Sequence, residues 1–207
     1  MYRILALIGA GLVAFAPSLV LAHHGIDGRT PEVFSEGFIS GLAHPVLGLD
    51  HLVFLLAAGL AAGALRLGLP ILVMFIVASI AGLALHLARL DLPLAEAAVA
   101  ATILALGLAA GSRAEVGRKV WLALFVVAGL FHGYAYGESI MGAATPPLIG
   151  YLLGLGVMQG LLASLTYVAG SKLADDVGLA HPELRHLGAL LAVIGVVFFL
   201  AALRTTA

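Results

Sequence analysis

Six long apolar runs, separated by short polar breaks, decide most of what this chain can fold into. They are Val46–Leu65, Leu69–Leu90, Leu94–Ala110, Val120–Met141, Leu148–Ala169 and Leu187–Leu203, and an amphipathic lead-in from Phe38 precedes the first. Each is close to the ~17–25 residues that a helix needs to cross the hydrocarbon core of a bilayer. Lipid offers the backbone no hydrogen-bond partner, so a spanning segment must be a helix or part of a closed barrel. Barrel strands would show about ten residues of alternating polarity, and no run does. Composition agrees: 62% of the residues are hydrophobic and 10% charged, against about 25% charged in a soluble domain. The expected fold is all-α, a six-transmembrane-helix bundle over residues 37–207 in contact with the lipid bilayer.

The N-terminus reads as a cleavable signal peptide over residues 1–22. Arg3 stands ahead of an apolar stretch, Pro17 and Ser18 end it, and Val20-Leu21-Ala22 is a small-residue cleavage signal. The alternative is an uncleaved first helix. Cleavage after Ala22 would leave His23 and His24 beside a free amine, a chelating group for Ni2+ or Cu2+; incidental histidines at a polar terminus explain them equally. Residues 23–36 form a polar external segment. Lys and Arg set the orientation. Arg66, Arg113, Arg118, Lys119, Lys172 and Arg185 fall on one side, and Arg29, Arg89 and Arg204 on the other. The first side is expected to be cytoplasmic, with the mature N-terminus outside.

A net charge of −1 gives no reason to expect nucleic acid. The absence of cysteine removes thiolate metal sites and iron–sulfur clusters. Any metal site must use His, Asp, Glu, Met, carbonyls and water. Glycine recurs at four-residue spacing in Gly59/Gly63, Gly129/Gly133/Gly137, Gly150/Gly154 and Gly156/Gly160. Such stripes let spanning helices approach closely.

Ionisable groups at membrane depth cost roughly 2.5–3.5 kcal/mol each at a helix centre. The stretch His44-Pro45-Val46-Leu47-Gly48-Leu49-Asp50-His51 carries three of them at the mouth of the first run. In a regular helix His44 and His51 share a face but lie roughly 10 Å apart along the axis, too far to grip one ion. Either the backbone is irregular at Pro45 and Gly48, or His44 is an outer station above Asp50 and His51. With the expected topology, His86, Glu96, His132 and Glu138 also fall in the outer half of the membrane. Convergence on one outward-facing site is the simplest account. Taken alone, Glu96 reads better as a snorkelling interfacial carboxylate, whereas His86 reads equally either way. His132 and Tyr136 share a helix face. Ser79, Gln159, Ser164 and Thr166 are mid-depth polar groups that more often bond neighbouring helices or their own backbone. The segment from Lys172 to His186 reads as a solvated cytoplasmic loop.

His44-x5-Asp50-His51 in the first run, with Phe131-His132-Gly133-x-Ala135 in the fourth, resembles the HupE/UreJ family of bacterial nickel/cobalt permeases. The resemblance spans the whole mature chain. It implies a transporter and not an enzyme: ion transport of Ni2+ or Co2+ as substrate, with no tightly bound cofactor. It also implies metal-binding roles for His44, Asp50, His51, His132 and Glu138, with His86, Glu96, Tyr136, His23 and His24 as further candidates. Familiar members read FHGxAHGxE. Here Tyr136 stands where the second histidine belongs, and Glu138 comes one place early, since the pattern puts its acid at Ser139. No Gly-rich loop ending in Gly-Lys-Ser/Thr occurs, so ATP is not expected. Moving a divalent cation inward along the membrane potential gains roughly 4.6 kcal/mol per 100 mV. One rival is a membrane b-type haem protein with His86 and His132 as axial ligands, which leaves Asp50 and Glu138 unexplained. Another is an intramembrane metallohydrolase, which lacks a His-Glu-x-x-His motif. The choice between nickel and cobalt is not written in these residues, and a homo-oligomer stays open.

Overall fold

A computed structural model describes residues 29–177 and 182–205; the signal-peptide reading and His23 and His24 lie outside them. The helices are α1 (Phe34–Leu47), α2 (Leu49–Ala64), α3 (Pro70–Leu87), α4 (Ala95–Gly111), α5 (Arg118–Tyr136), α6 (Thr145–Val177) and α7 (Pro182–Thr205). A 3-10 turn, Glu138–Ile140, follows α5, and no strand occurs among the described residues.

Among the described residues, four helical stretches are long and apolar enough to cross a membrane: Pro70–Leu87, Arg118–Ile140, Thr145–Asp176 and Arg185–Arg204. The first run differs from its expected form. The lead-in and the run form two helices, α1 and α2, bent by 77° at a break, and together they make a fifth candidate span. Gly48 at the break is extended, at φ −75° and ψ 101°. Pro45 weakens the last turn of α1 because it has no N–H to give. The helix α4, apolar but only 17 residues long, is at the lower limit for a span.

Large apolar side chains face outward in rows. Leu153, Val157, Leu161, Leu165 and Val168 run down one side of α6, and Val73, Val77 and Ile80 down α3. Rows at three- and four-residue spacing form one helix face. They suit contact with lipid, since soluble monomers rarely expose apolar patches this continuous.

Inside, α6 packs along both halves of the bent pair, α3 packs on α5, and α4 on α7. Glycine makes these approaches possible. Gly133 of α5 lies on the Ser79 backbone, Gly82 of α3 on Leu130, and Gly59 and Gly63 on Ala163 and Tyr167. Gly150 and Gly154 lie on Phe34 and Phe38. The pair Gly156 and Gly160 departs from the expected packing role, since both face open space.

The segment Lys172–His186 is not one loop. The helix α6 runs on to Val177, and α7 has begun by Pro182. Arg66, just past α2, pairs with Asp175 near the end of α6. Two of the segments expected on the cytoplasmic side therefore meet at one end of the bundle.

Candidate metal centre

The bend at Gly48 changes the relation of the histidines. With α1 and α2 at an angle, the ring centroids of His44 and His51 are 5.9 Å apart, much closer than a straight helix allows. A β-carbon on Gly48 would sit 2.6 Å from Cδ2 of His51. The His51 ring thus folds back over the break. Asp50 caps this turn: its Oδ1 accepts the His51 N–H at 2.9 Å. A carboxylate in the first turn of α2 also complements the positive end of that helix.

His51 is 1% exposed and His132 0%. Their Nδ1 atoms meet at 2.8 Å across the α2–α5 contact. On its other side, His132 Nε2 lies 3.1 Å from the Thr102 hydroxyl of α4. Thr102 in turn donates to the Val99 carbonyl at 2.6 Å. Above this pair, His44 Nδ1 lies 2.8 Å from both the Ser139 and the Tyr151 hydroxyls. Tyr151 donates to the Tyr136 carbonyl at 2.8 Å. The Tyr136 ring lies between the two tiers, 5.0 Å from His44 and 4.3 Å from His51 by ring centroid. Its hydroxyl is buried and faces the Gln159 side chain. Phe54, one turn further along α2 than His51, lies tilted against His132 at 4.4 Å and stacks on Phe75 at 5.3 Å. Phe75 in turn approaches His132 to 5.9 Å, so two aromatic rings border the imidazole pair.

The expected ligands are therefore brought together in part. His44, His51 and His132 form a file of imidazoles with His51 in the middle. Among the described residues, no three His, Asp or Glu side chains converge as a ready metal cage. Asp50 is half-buried on the backbone turn. Glu138 is exposed in the 3-10 turn, beyond the end of α5. Its neighbour Ser139, the position where the family pattern expects an acid, is the one that reaches His44. Glu96 is half-buried in the first turn of α4. The His86 ring lies tilted against Tyr134 at 4.5 Å, and the Tyr134 hydroxyl accepts the Leu92 N–H at 3.2 Å. Of the mid-depth polar groups, Gln159 donates to Ser79 at 3.1 Å across α6 and α3, and both are buried. Thr166 donates to its own helix at Leu162.

Sequence reading missed Thr102, Tyr151 and Ser139. Thr102 stands in an alanine-rich helix and Tyr151 among leucines, so neither breaks a pattern. Ser139 alone carried a signal, through its place in the motif.

These features define a helical membrane protein with a buried file of histidines across its helices. The chain belongs to the HupE/UreJ family, matching it as "HupE / UreJ protein" over residues 11–198. It is similar to Protein HupE of Rhizobium leguminosarum bv. viciae, with 30% identity over 171 residues, covering 78% of this chain and 85% of the relative. No solved structure matches. Membership supports, in general terms, a metal transporter of the membrane.

Proposed function

We propose that this chain is a secondary transporter that takes up Ni2+ or Co2+ from the outside through an intramembrane histidine site. The observation that carries the reading is the buried contact of His51 with His132 at 2.8 Å, between helices far apart in the sequence. Imidazole suits both ions. A file of nitrogens, in place of a closed cage, favours brief binding and release, which conduction requires. Asp50 supplies negative charge at the rim, while Glu138 and Glu96 belong to the approach and not to the file.

In this reading the short helix α4 and the bent α1–α2 pair are the fifth and sixth spans. Phe54 and Phe75 border His132 on its apolar side, so an ion leaving inward needs these rings to move. No observation favours the haem alternative: both His132 nitrogens face side-chain partners, and His86 lies on Tyr134.

Uptake of Ni2+ and Co2+ by cells expressing the chain tests the proposal. His51→Ala and His132→Ala, each at wild-type membrane abundance, are expected to lose at least about tenfold in uptake, the low end of what metal-site partners are worth. Unchanged accumulation of both ions in both variants would overturn it.

A further inference from the structure

Two hydroxyl groups in the site spend their only proton on a backbone carbonyl. Thr102 gives its proton to Val99 at 2.6 Å, and Tyr151 gives its proton to Tyr136 at 2.8 Å. A carbonyl oxygen can only accept. Each hydroxyl is therefore left as an acceptor towards the histidine beside it. From this we infer that Thr102 and Tyr151 are positioning residues that fix the tautomers of all three histidines, and so choose which nitrogens face a metal.

Thr102 Oγ1 accepts, so His132 Nε2 must carry the proton that spans their 3.1 Å contact. A neutral imidazole holds one N–H and one lone pair. His132 Nδ1 is then the lone pair, and the proton in its 2.8 Å contact with His51 belongs to His51 Nδ1. Nε2 is left as the basic nitrogen of His51. The second tier repeats the logic. Tyr151 Oη accepts, so His44 Nδ1 carries the proton shared towards Tyr151 and Ser139, each 2.8 Å away. Nε2 is again the basic nitrogen. His44 and His51 both present Nε2 to the metal. His132 acts behind His51, as an acceptor that raises the donor strength of its neighbour, the role that outer partners of a ligating imidazole commonly play. Neither hydroxyl needs to touch the ion.

This inference rests on the metal reading above, but its primary test does not require transport. The chain, labelled with 15N-histidine and held in lipid nanodiscs, gives separate pyrrole-like and pyridine-like nitrogen resonances for each ring. The expected pattern is a protonated Nε2 in His132, and a protonated Nδ1 with a pyridine-like Nε2 in His44 and His51. Thr102→Val, which keeps the shape and removes the hydroxyl, should abolish the His132 signature. Thr102→Ser should restore it, which also controls for loss of fold. Tyr151→Phe should alter His44 alone. In uptake assays Thr102→Val should raise the apparent KM for Ni2+ by about 10- to 100-fold, with Thr102→Ser recovering most of it. A pyridine-like His132 Nε2 in the wild-type chain, or tautomers unmoved in Thr102→Val, overturns the inference. The expected tautomers in a chain whose His44 and His51 resonances ignore added Ni2+ and Co2+ would instead overturn the metal reading and leave the tautomer assignment standing.

Discussion

At Gly48 a single hydrogen atom makes room for a ring. The backbone there has ordinary dihedrals that any residue adopts, so the demand for glycine is steric. A methyl group would meet His51 Cδ2 at 2.6 Å and push the ring off His132. Gly48→Ala should therefore keep the protein folded and inserted while lowering Ni2+ uptake roughly tenfold, as for a displaced partner of a metal ligand. Uptake equal to wild type would show that the ring position does not matter. Residue types announced part of this site and concealed the rest. His44, Asp50, His51 and His132 stand out because charged or ionisable groups are costly in an apolar run. Thr102 and Tyr151 do not, since one hydroxyl is cheap when a carbonyl of its own or a neighbouring helix accepts its proton. Glu138 is just as conspicuous, but the helix ends at Tyr136 and the Glu138 side chain is exposed in the turn that follows.

Among the helices, the small-residue stripes separate into two kinds that look alike in the sequence. Gly133 is pressed on the Ser79 backbone, whereas Gly156 and Gly160 have open space around the place a β-carbon would take. Gly133→Ala should force α3 and α5 apart and cost about 1–3 kcal/mol as overpacking. Gly156→Ala should stabilise by about 0.5–1 kcal/mol, through the lower entropy cost of alanine in a helix. Thermal unfolding in one detergent checks both, and the expected midpoints move in opposite directions. Equal shifts would mean that Gly156 packs on a partner, such as a second copy. The four-residue spacing fixes only which residues share a face. Which face meets a helix and which meets lipid depends on neighbours distant in the chain.

Over the whole molecule, the two ends differ in character. One carries Arg66 paired with Asp175, with Gly111 beside Arg185. The other carries Arg89, Asp91 and Tyr134 around a cavity of about 310 Å3. The Arg66–Asp175 pair is half exposed or more on both sides, so it marks an end and contributes little stability, about 0–1 kcal/mol. The absence of native cysteine allows a direct test of orientation. Asp91→Cys should react with an impermeant maleimide on intact cells, and Arg113→Cys only after the membrane is opened. The reverse pattern would invert the proposed direction of entry.

Hydropathy alone determined that this protein is a bundle of helices in lipid, because a backbone without water must satisfy its own hydrogen bonds. The expected topology likewise put His51 and His132 in the same half of the membrane. Tertiary structure decided the rest: that the first run breaks at Gly48, that Ser139 and not Glu138 reaches His44, and that Thr102 stands behind His132. Those facts depend on contacts between helices tens of residues apart. No local pattern encodes them, since a side chain's hydrogen-bond partner is set by where two packed helices cross.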